Sequence, residues 1–116
     1  MNAGERRALW YYRLRGYRII GTNVQAGRNE LDLIVRRGSR LTFVEVKQRH
    51  GSGFGGAVGA VDTEKRRRVR RAAQVWLSRN PQPEYVRVGF DVVAVEEGRL
   101  VRIPASLIED RGSPSD

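Results

Sequence analysis

Apolar positions recur along this chain with two different periods. Between residues 3 and 15, Ala8, Leu9 and Tyr12 keep the spacing of one helix face, and Gly16 offers a stop. Tyr17 to Asn23 carries Tyr, Ile and Ile and reads as a strand followed by a glycine-containing turn. Asn29 to Val35 and Leu41 to Gln48 are rich in Leu, Ile, Val, Phe and Thr, and Gly38-Ser39 between them suits a two-residue hairpin loop. These segments together predict a three-stranded meander. A second helix begins at Asp62 or Thr63, since Val69, Ala72, Ala73, Trp76 and Leu77 keep helical order, and it ends at Asn80-Pro81-Gln82-Pro83. Tyr85 to Val95 then predicts a long strand bent or bulged at Gly89, and Leu100 to Ile103 returns after a Glu97-Gly98 turn. There is no internal repeat.

Charged residues interrupt the hairpin where its pattern calls for burial. A carboxylate inside such a strand loses hydration and needs a cation, a partner or hydrogen-bond donors. Closing the turn at Gly38-Ser39 sets Asp32 across from Glu45 and Glu30 across from Lys47, each pair on one side of the sheet. A slip of one residue would separate them. Two facing carboxylates suit a hard divalent cation with oxygen ligands, Mg2+ or Mn2+. Lys47 points to the same side, where its charge acts on an attacking water or a developing anion, so the constellation fits metal-assisted phosphodiester hydrolysis. The plainer reading is a set of cross-strand ion pairs in which Asp32 and Glu30 balance Lys47 and nearby arginines.

Glu5 heads the stripe of the first helix, three, four and seven residues before Ala8, Leu9 and Tyr12. It is either a first-turn glutamate in the helix dipole or an acid directed at the hairpin site. The second helix carries Arg66, Arg67, Arg68, Arg70 and Arg71 on its other faces, with only Glu64 close by to offset them. That run reads as a contact for phosphate backbones, the alternative being a solvated arginine face. Lys65 leans toward the packed side and so toward the site. Asp91, between Phe90 and Val92, reads as a partner for an arginine or as a residue bordering the site; Glu30 and Gln48 are further candidates for that border.

Composition narrows the chemistry. The chain has 116 residues, 40% hydrophobic and 30% charged, which fits one domain over residues 1–110 with a frayed tail over 111–116. Lys and Arg total 22 against 13 Asp and Glu, a net charge of +9, so the partner expected is a polyanion: nucleic acid first, an anionic membrane surface second. No apolar run approaches the roughly 18 residues of a membrane span, and Met1 to Arg15 lacks the apolar core of a signal peptide. The expected location is cytoplasmic. The absence of cysteine excludes disulfides, thiolate catalysis and a Cys-ligated zinc site. His50 is the single histidine, which disfavours a Ser-His-Asp triad or a His-rich metal site. Gly51, Gly53, Gly55, Gly56 and Gly59 form either a loop able to close over substrate, with Phe54 stacking on a base, or a linker.

Several segments together resemble a known superfamily. Gly4-Glu5, Gly16-Tyr17, Asn23, Glu30-Leu31-Asp32-Leu33-Ile34, Phe43-Val44-Glu45-Val46-Lys47, the glycine segment with Val61 and Lys65, and Phe90-Asp91-Val92-Val93 follow in that order. The set resembles the core of the PD-(D/E)XK nucleases and, more narrowly, the YraN-like family of small bacterial proteins, themselves similar to archaeal Holliday-junction resolvases. The resemblance implies an α/β, restriction-endonuclease-like core: a helix, a three-stranded antiparallel meander, a second helix, and further strands in a mixed central sheet. It also implies Asp32, Glu45 and the Val46 carbonyl as metal ligands, Lys47 as the residue that positions or activates water, and Glu5 as the acid completing the site. The implied activity is metal-dependent cleavage of DNA, branched or otherwise structured, with a two-fold homodimer as one way to present two sites to two strands. Asn29 stands where the family usually has Gly. Because fold does not establish function, a non-catalytic nucleic-acid-binding module and an interaction protein with an acidic partner stay open beside the nuclease.

Overall fold

The computed structural model describes residues 1–49 and 63–104. The helix α1 spans Ala3–Leu14, followed by the strands β1 (Arg18–Ala26), β2 (Asn29–Arg37) and β3 (Arg40–Arg49), the helix α2 (Thr63–Arg79), and the strands β4 (Arg87–Glu96) and β5 (Arg99–Pro104). The glycine-rich segment with His50, Phe54, Val61 and Asp62, and the expected tail 111–116, lie outside the described residues.

All five strands join one sheet in the order β1-β2-β3-β4-β5. Neighbours run antiparallel except β3 and β4, which are parallel. A parallel pair needs a crossover, and α2 lies within that connection. The sheet is therefore mixed, as the resemblance implied.

The hairpin closes at Gly38-Ser39 with Gly38 at φ 60, and β2 and β3 pair from Arg37–Arg40 to Leu33–Val44 in the expected register. Of the bend or bulge expected at Gly89, the bulge is absent, because β4 stays in register with β3 from Arg40–Arg87 through Thr42–Gly89 to Arg49–Glu96. The register shift falls instead in β1 between Ile19 and Gly21, where a Cβ on Gly21 would come within 2.7 Å of Val24 Cγ2. A backbone without a side chain is what that close approach requires.

Each helix covers one face of the sheet. Ala8 and Tyr12 of α1 pack with Leu33, Val35, Val44, Val93 and Val95. On the opposite face, Ala72 and Ala73 of α2 pack with Ala26, Leu31, Ile34, Leu41 and Phe43, and the Phe43 ring meets Trp76 edge-on and stacks on Phe90. With both faces covered, the central strands carry continuous apolar runs instead of a polar-apolar alternation.

Beneath α1, the fully buried Tyr12 donates its hydroxyl hydrogen to Asp91 Oδ2 at 2.7 Å, and Arg102 Nε donates to the same oxygen at 2.9 Å. Burial first, then the charge of Asp91 and the hydrogen bond to it, raises the Tyr12 phenol far above its ordinary value and keeps it a donor. Asp91 is thus an arginine partner on the α1 face. It sits opposite Val44 in the ladder, one residue out of phase with Glu45, and the two acids line one small pocket with Arg66 and Arg70.

Candidate active site

β2 and β3 lose their regular pairing just where the acids begin. The ladder ends at Leu33–Val44, and beyond it Asp32 Oδ2 accepts the main-chain N–H of Val46 at 2.9 Å. Leu31 joins the α2 layer whereas Leu33 joins the α1 layer, so the alternation of β2 breaks at Asp32. The expected pairings of Asp32 with Glu45 and of Glu30 with Lys47 are replaced by this side-chain to main-chain bond. The physical reason is local: a half-buried carboxylate needs a donor, and the freed Val46 N–H supplies one. Asp32 and Glu45 still meet, both lining a cavity of about 190 Å³ beside α2 together with Asn29, Glu30, Lys65 and Arg68.

Glu45 is 4% exposed, and among the described residues its Oε2 has no hydrogen-bond partner. The cation beside it is Lys65, whose Nζ stands 3.7 Å away on a side chain that is 43% exposed. A separation of that length between a buried oxygen and a half-exposed ammonium leaves much of the desolvation cost uncompensated. Lys47, half-buried, follows Glu45 by two residues on β3 and so shares its face.

Glu5 caps α1, and its charge also reaches Asp32. Its Oε1 accepts from Asn2 N at 3.0 Å while Asn2 Oδ1 accepts from Glu5 N at 2.7 Å, a reciprocal cap on α1. The same Oε1 accepts from Asn23 Nδ2 at 3.3 Å, and the Glu5 charge acts on Asp32. Asn23 adopts a left-handed φ of 48, which Asn tolerates better than most residues. Gln48 fixes this end of α1: its Oε1 accepts from Gly4 N at 2.8 Å, and a Cβ on Gly4 would lie 2.6 Å from that oxygen. Glu30 is exposed at the cavity rim. Among the described residues, no three His, Cys, Asp or Glu side chains group closely enough to hold a metal by themselves.

Burial is the largest influence on Asp32 and raises its carboxyl from 3.8 to about 6; the Val46 N–H and Lys65 lower it, and Glu5 and Glu45 raise it further. The folded protein therefore holds this proton more tightly than the unfolded chain does. Its contribution to stability is complete below about pH 4 and is lost as pH rises through about 6. In chelator, urea unfolding should show this loss as about 2 kcal/mol, after allowance for solvent screening of a half-exposed group. Asp32→Asn should lack that part of the pH dependence. Parallel stability profiles for the two proteins from pH 4 to 7.5 would contradict it.

The arginines of α2 divide between two environments. Arg67 and Arg71 are exposed, as expected. Arg66 is buried and Arg70 half-buried, because they precede Val69 and Ala73 by three residues and belong to the packed stripe. The Arg70 guanidinium lies 5.4 Å from the Phe90 ring centre, and burial, then the charge of Arg66, lowers its pKa. A solvent-facing run over all of these positions is thus corrected: Arg66 is enclosed by packing. Arg68, at the cavity, escaped the sequence reading as a site residue, although its spacing of three from Lys65 carried the signal.

These features define a mixed α/β protein with a cleft lined by Glu30, Asp32, Glu45, Lys65 and Arg68, built where a central hairpin departs from regular pairing. Residues 4–95 match the model described as "Uncharacterised protein family UPF0102", and the chain belongs to that family. The match takes in Glu5, Asp32, Glu45, Lys47 and Lys65 and ends inside β4. A UPF0102 protein of Symbiobacterium thermophilum is 42% identical over 109 residues, covering 93% of this chain and 91% of the relative. Another, of Halorhodospira halophila, is 42% identical over 92 residues, covering 79% and 73%. Among the described residues, no helix is long and apolar enough to cross a membrane.

Proposed function

We propose that this chain is a divalent-metal-dependent nuclease with a PD-(D/E)XK, restriction-endonuclease-like core, hydrolysing phosphodiester bonds in DNA and preferring branched or structured forms. The observation that carries this reading is the buried Glu45 oxygen, without a hydrogen-bond partner among the described residues and lining one cavity with Asp32. Two carboxylates of which one is unsatisfied suit a hard cation, so Asp32 and Glu45, with the Val46 carbonyl, would hold Mg2+ or Mn2+. When bound, such an ion supplies Lewis-acid stabilisation of phosphoryl charge and an acidified water.

The remaining work falls to the chain itself. Lys47 places an ammonium on the face of Glu45, where it orients water and offsets charge developing on phosphate oxygens. Asp32, bonded to Val46 N, fixes the main chain between the two acids. Glu5, held by the helix cap and by Asn23, adds negative potential at Asp32. Arg67 and Arg71 offer exposed charge to the backbone of the substrate.

A second reading, a nucleic-acid-binding module without catalysis, is favoured by the 3.7 Å approach of Lys65 to Glu45, since an ammonium there partly serves as the cation. Incubation with linear, nicked, flapped and four-way DNA separates the two. Cleavage with Mg2+ or Mn2+, abolished by chelator, is the expected result, and the same ions should raise the melting temperature by mass action on the folded state. Binding to DNA with no cleavage of any form, and melts indifferent to either ion, would leave the second reading standing.

A further inference from the structure

The end of the sheet away from the acids carries a row of arginines. Arg37 pairs with Arg40 across β2 and β3, and Arg40 pairs with Arg87 across β3 and β4, so three guanidinium side chains stand on one face of three adjacent strands. Neighbouring strands lie about 4.8 Å apart. Like charges directly opposite one another destabilise a sheet unless counter-charge is supplied. Among the described residues, none of the three makes an ion pair, and all are exposed.

The row continues onto the C-terminal end of α1. Arg37 Nη1 donates to the main-chain oxygen of Arg15 at 2.9 Å, and Arg15 is itself exposed. The Arg15 guanidinium lies 3.7 Å from the Tyr11 ring centre and that of Arg37 4.5 Å from Tyr17. Stacking on an aromatic face restrains an otherwise flexible side chain, so these two charges are ordered before any ligand arrives. An ordered, unneutralised row is a poor solvated surface and a good receptor for regularly spaced phosphates.

We propose that Arg15, Arg37, Arg40 and Arg87 form a second contact for nucleic-acid backbone, separate from the α2 arginines and from the cleft. Arg37 and Arg40 each stand five strand residues from Asp32 and Glu45, a span of roughly 17 Å. The row stands on the α1 face, in phase with Asp91 and out of phase with Glu45, whereas the cleft lies beside α2, so the row holds a different arm of the nucleic acid from the one in the cleft. The choice of nucleic acid over another polyanion rests on the reading of the cleft given above.

The test is a salt titration of duplex binding, with DNA about two helical turns long and chelator present, so that no cleavage enters. Arg37→Gln/Arg40→Gln/Arg87→Gln should reduce the log-log salt slope by about 0.9 for each phosphate that the variant no longer neutralises, and Arg→Lys at the same positions should retain most of it. Arg40→Gln alone should lower the slope by about one. Removing like charges from one face should leave the melting temperature unchanged or raise it, which circular dichroism checks. Poly-glutamate and phosphatidylserine vesicles serve as the competing polyanions. An unchanged duplex slope in both Gln variants would overturn the proposal, as would loss of vesicle or poly-glutamate binding with duplex binding intact. A protein that binds duplex through this row but never cuts keeps this inference and loses the nuclease reading; one that cuts while its slope ignores the row does the reverse.

Discussion

Asp91→Ala should lower the stability of this protein by about 3–5 kcal/mol, the scale measured when one partner of a buried charged network is removed. Asp91 is 6% exposed and accepts from both Tyr12 and Arg102, so its loss strands a fully buried phenol and frees an arginine. Because native domains are stable by only about 5–15 kcal/mol, the variant should unfold at far lower urea than wild type. Tyr12→Phe should cost about 1 kcal/mol, since Asp91 keeps Arg102 and the ring still fills its place among Ala8, Leu33 and Val44. Arg102 sits partly in water and can solvate itself, which places Arg102→Ala between the two. An Asp91→Ala protein within about 1 kcal/mol of wild type in urea would show that the network adds no more than ordinary packing.

This network also marks where the sequence stops being informative. Tyr12 stood out as a member of an apolar stripe, and nothing in its spacing announced that its hydroxyl would meet a carboxylate 79 residues away. Contacts between distant elements depend on how the layers stack, which periodicity does not encode. The hairpin was more legible. Gly38-Ser39 set the turn, and the turn set the register as far as Leu33–Val44. The departure at Asp32 lay beyond that reasoning, because period-two logic assumes a regular strand and Asp32 ended the regularity by taking Val46 N–H for itself.

The two helices teach the same distinction. In α1, the position of Glu5 at the head of the stripe predicted its approach to the sheet, but its dual engagement with Asn2 and Asn23 needed three dimensions. In α2, the arginine run invited a purely electrostatic reading. Helical spacing already placed Arg66 and Arg70 in line with Val69 and Ala73, and that phase outweighed their charge. Long side chains permit this, since an arginine buries its stem and still directs its head group.

Lys47→Ala should separate cleavage from binding. The substitution leaves Asp32, Glu45 and both arginine surfaces in place, so duplex affinity in chelator should change by no more than the loss of a single charge implies. Cleavage in Mg2+ or Mn2+ should fall by on the order of a hundredfold or more, the scale for removing a group that acts on charge developing in the transition state. Asp32→Ala and Glu45→Ala should be equally inactive for a different reason, the loss of a proposed ligand, and their melting temperatures should no longer rise with added metal. Their stabilities should also diverge from that of Lys47→Ala. Glu45→Ala removes a buried oxygen that has no hydrogen-bond partner among the described residues and so relieves a desolvation cost, whereas Asp32→Ala leaves Val46 N–H without its acceptor. A metal-free protein more stable as Glu45→Ala than as Asp32→Ala is therefore expected, measured by urea unfolding beside the cleavage assay. Metal-dependent cleavage that persists undiminished in all three variants would remove the hairpin from the chemistry.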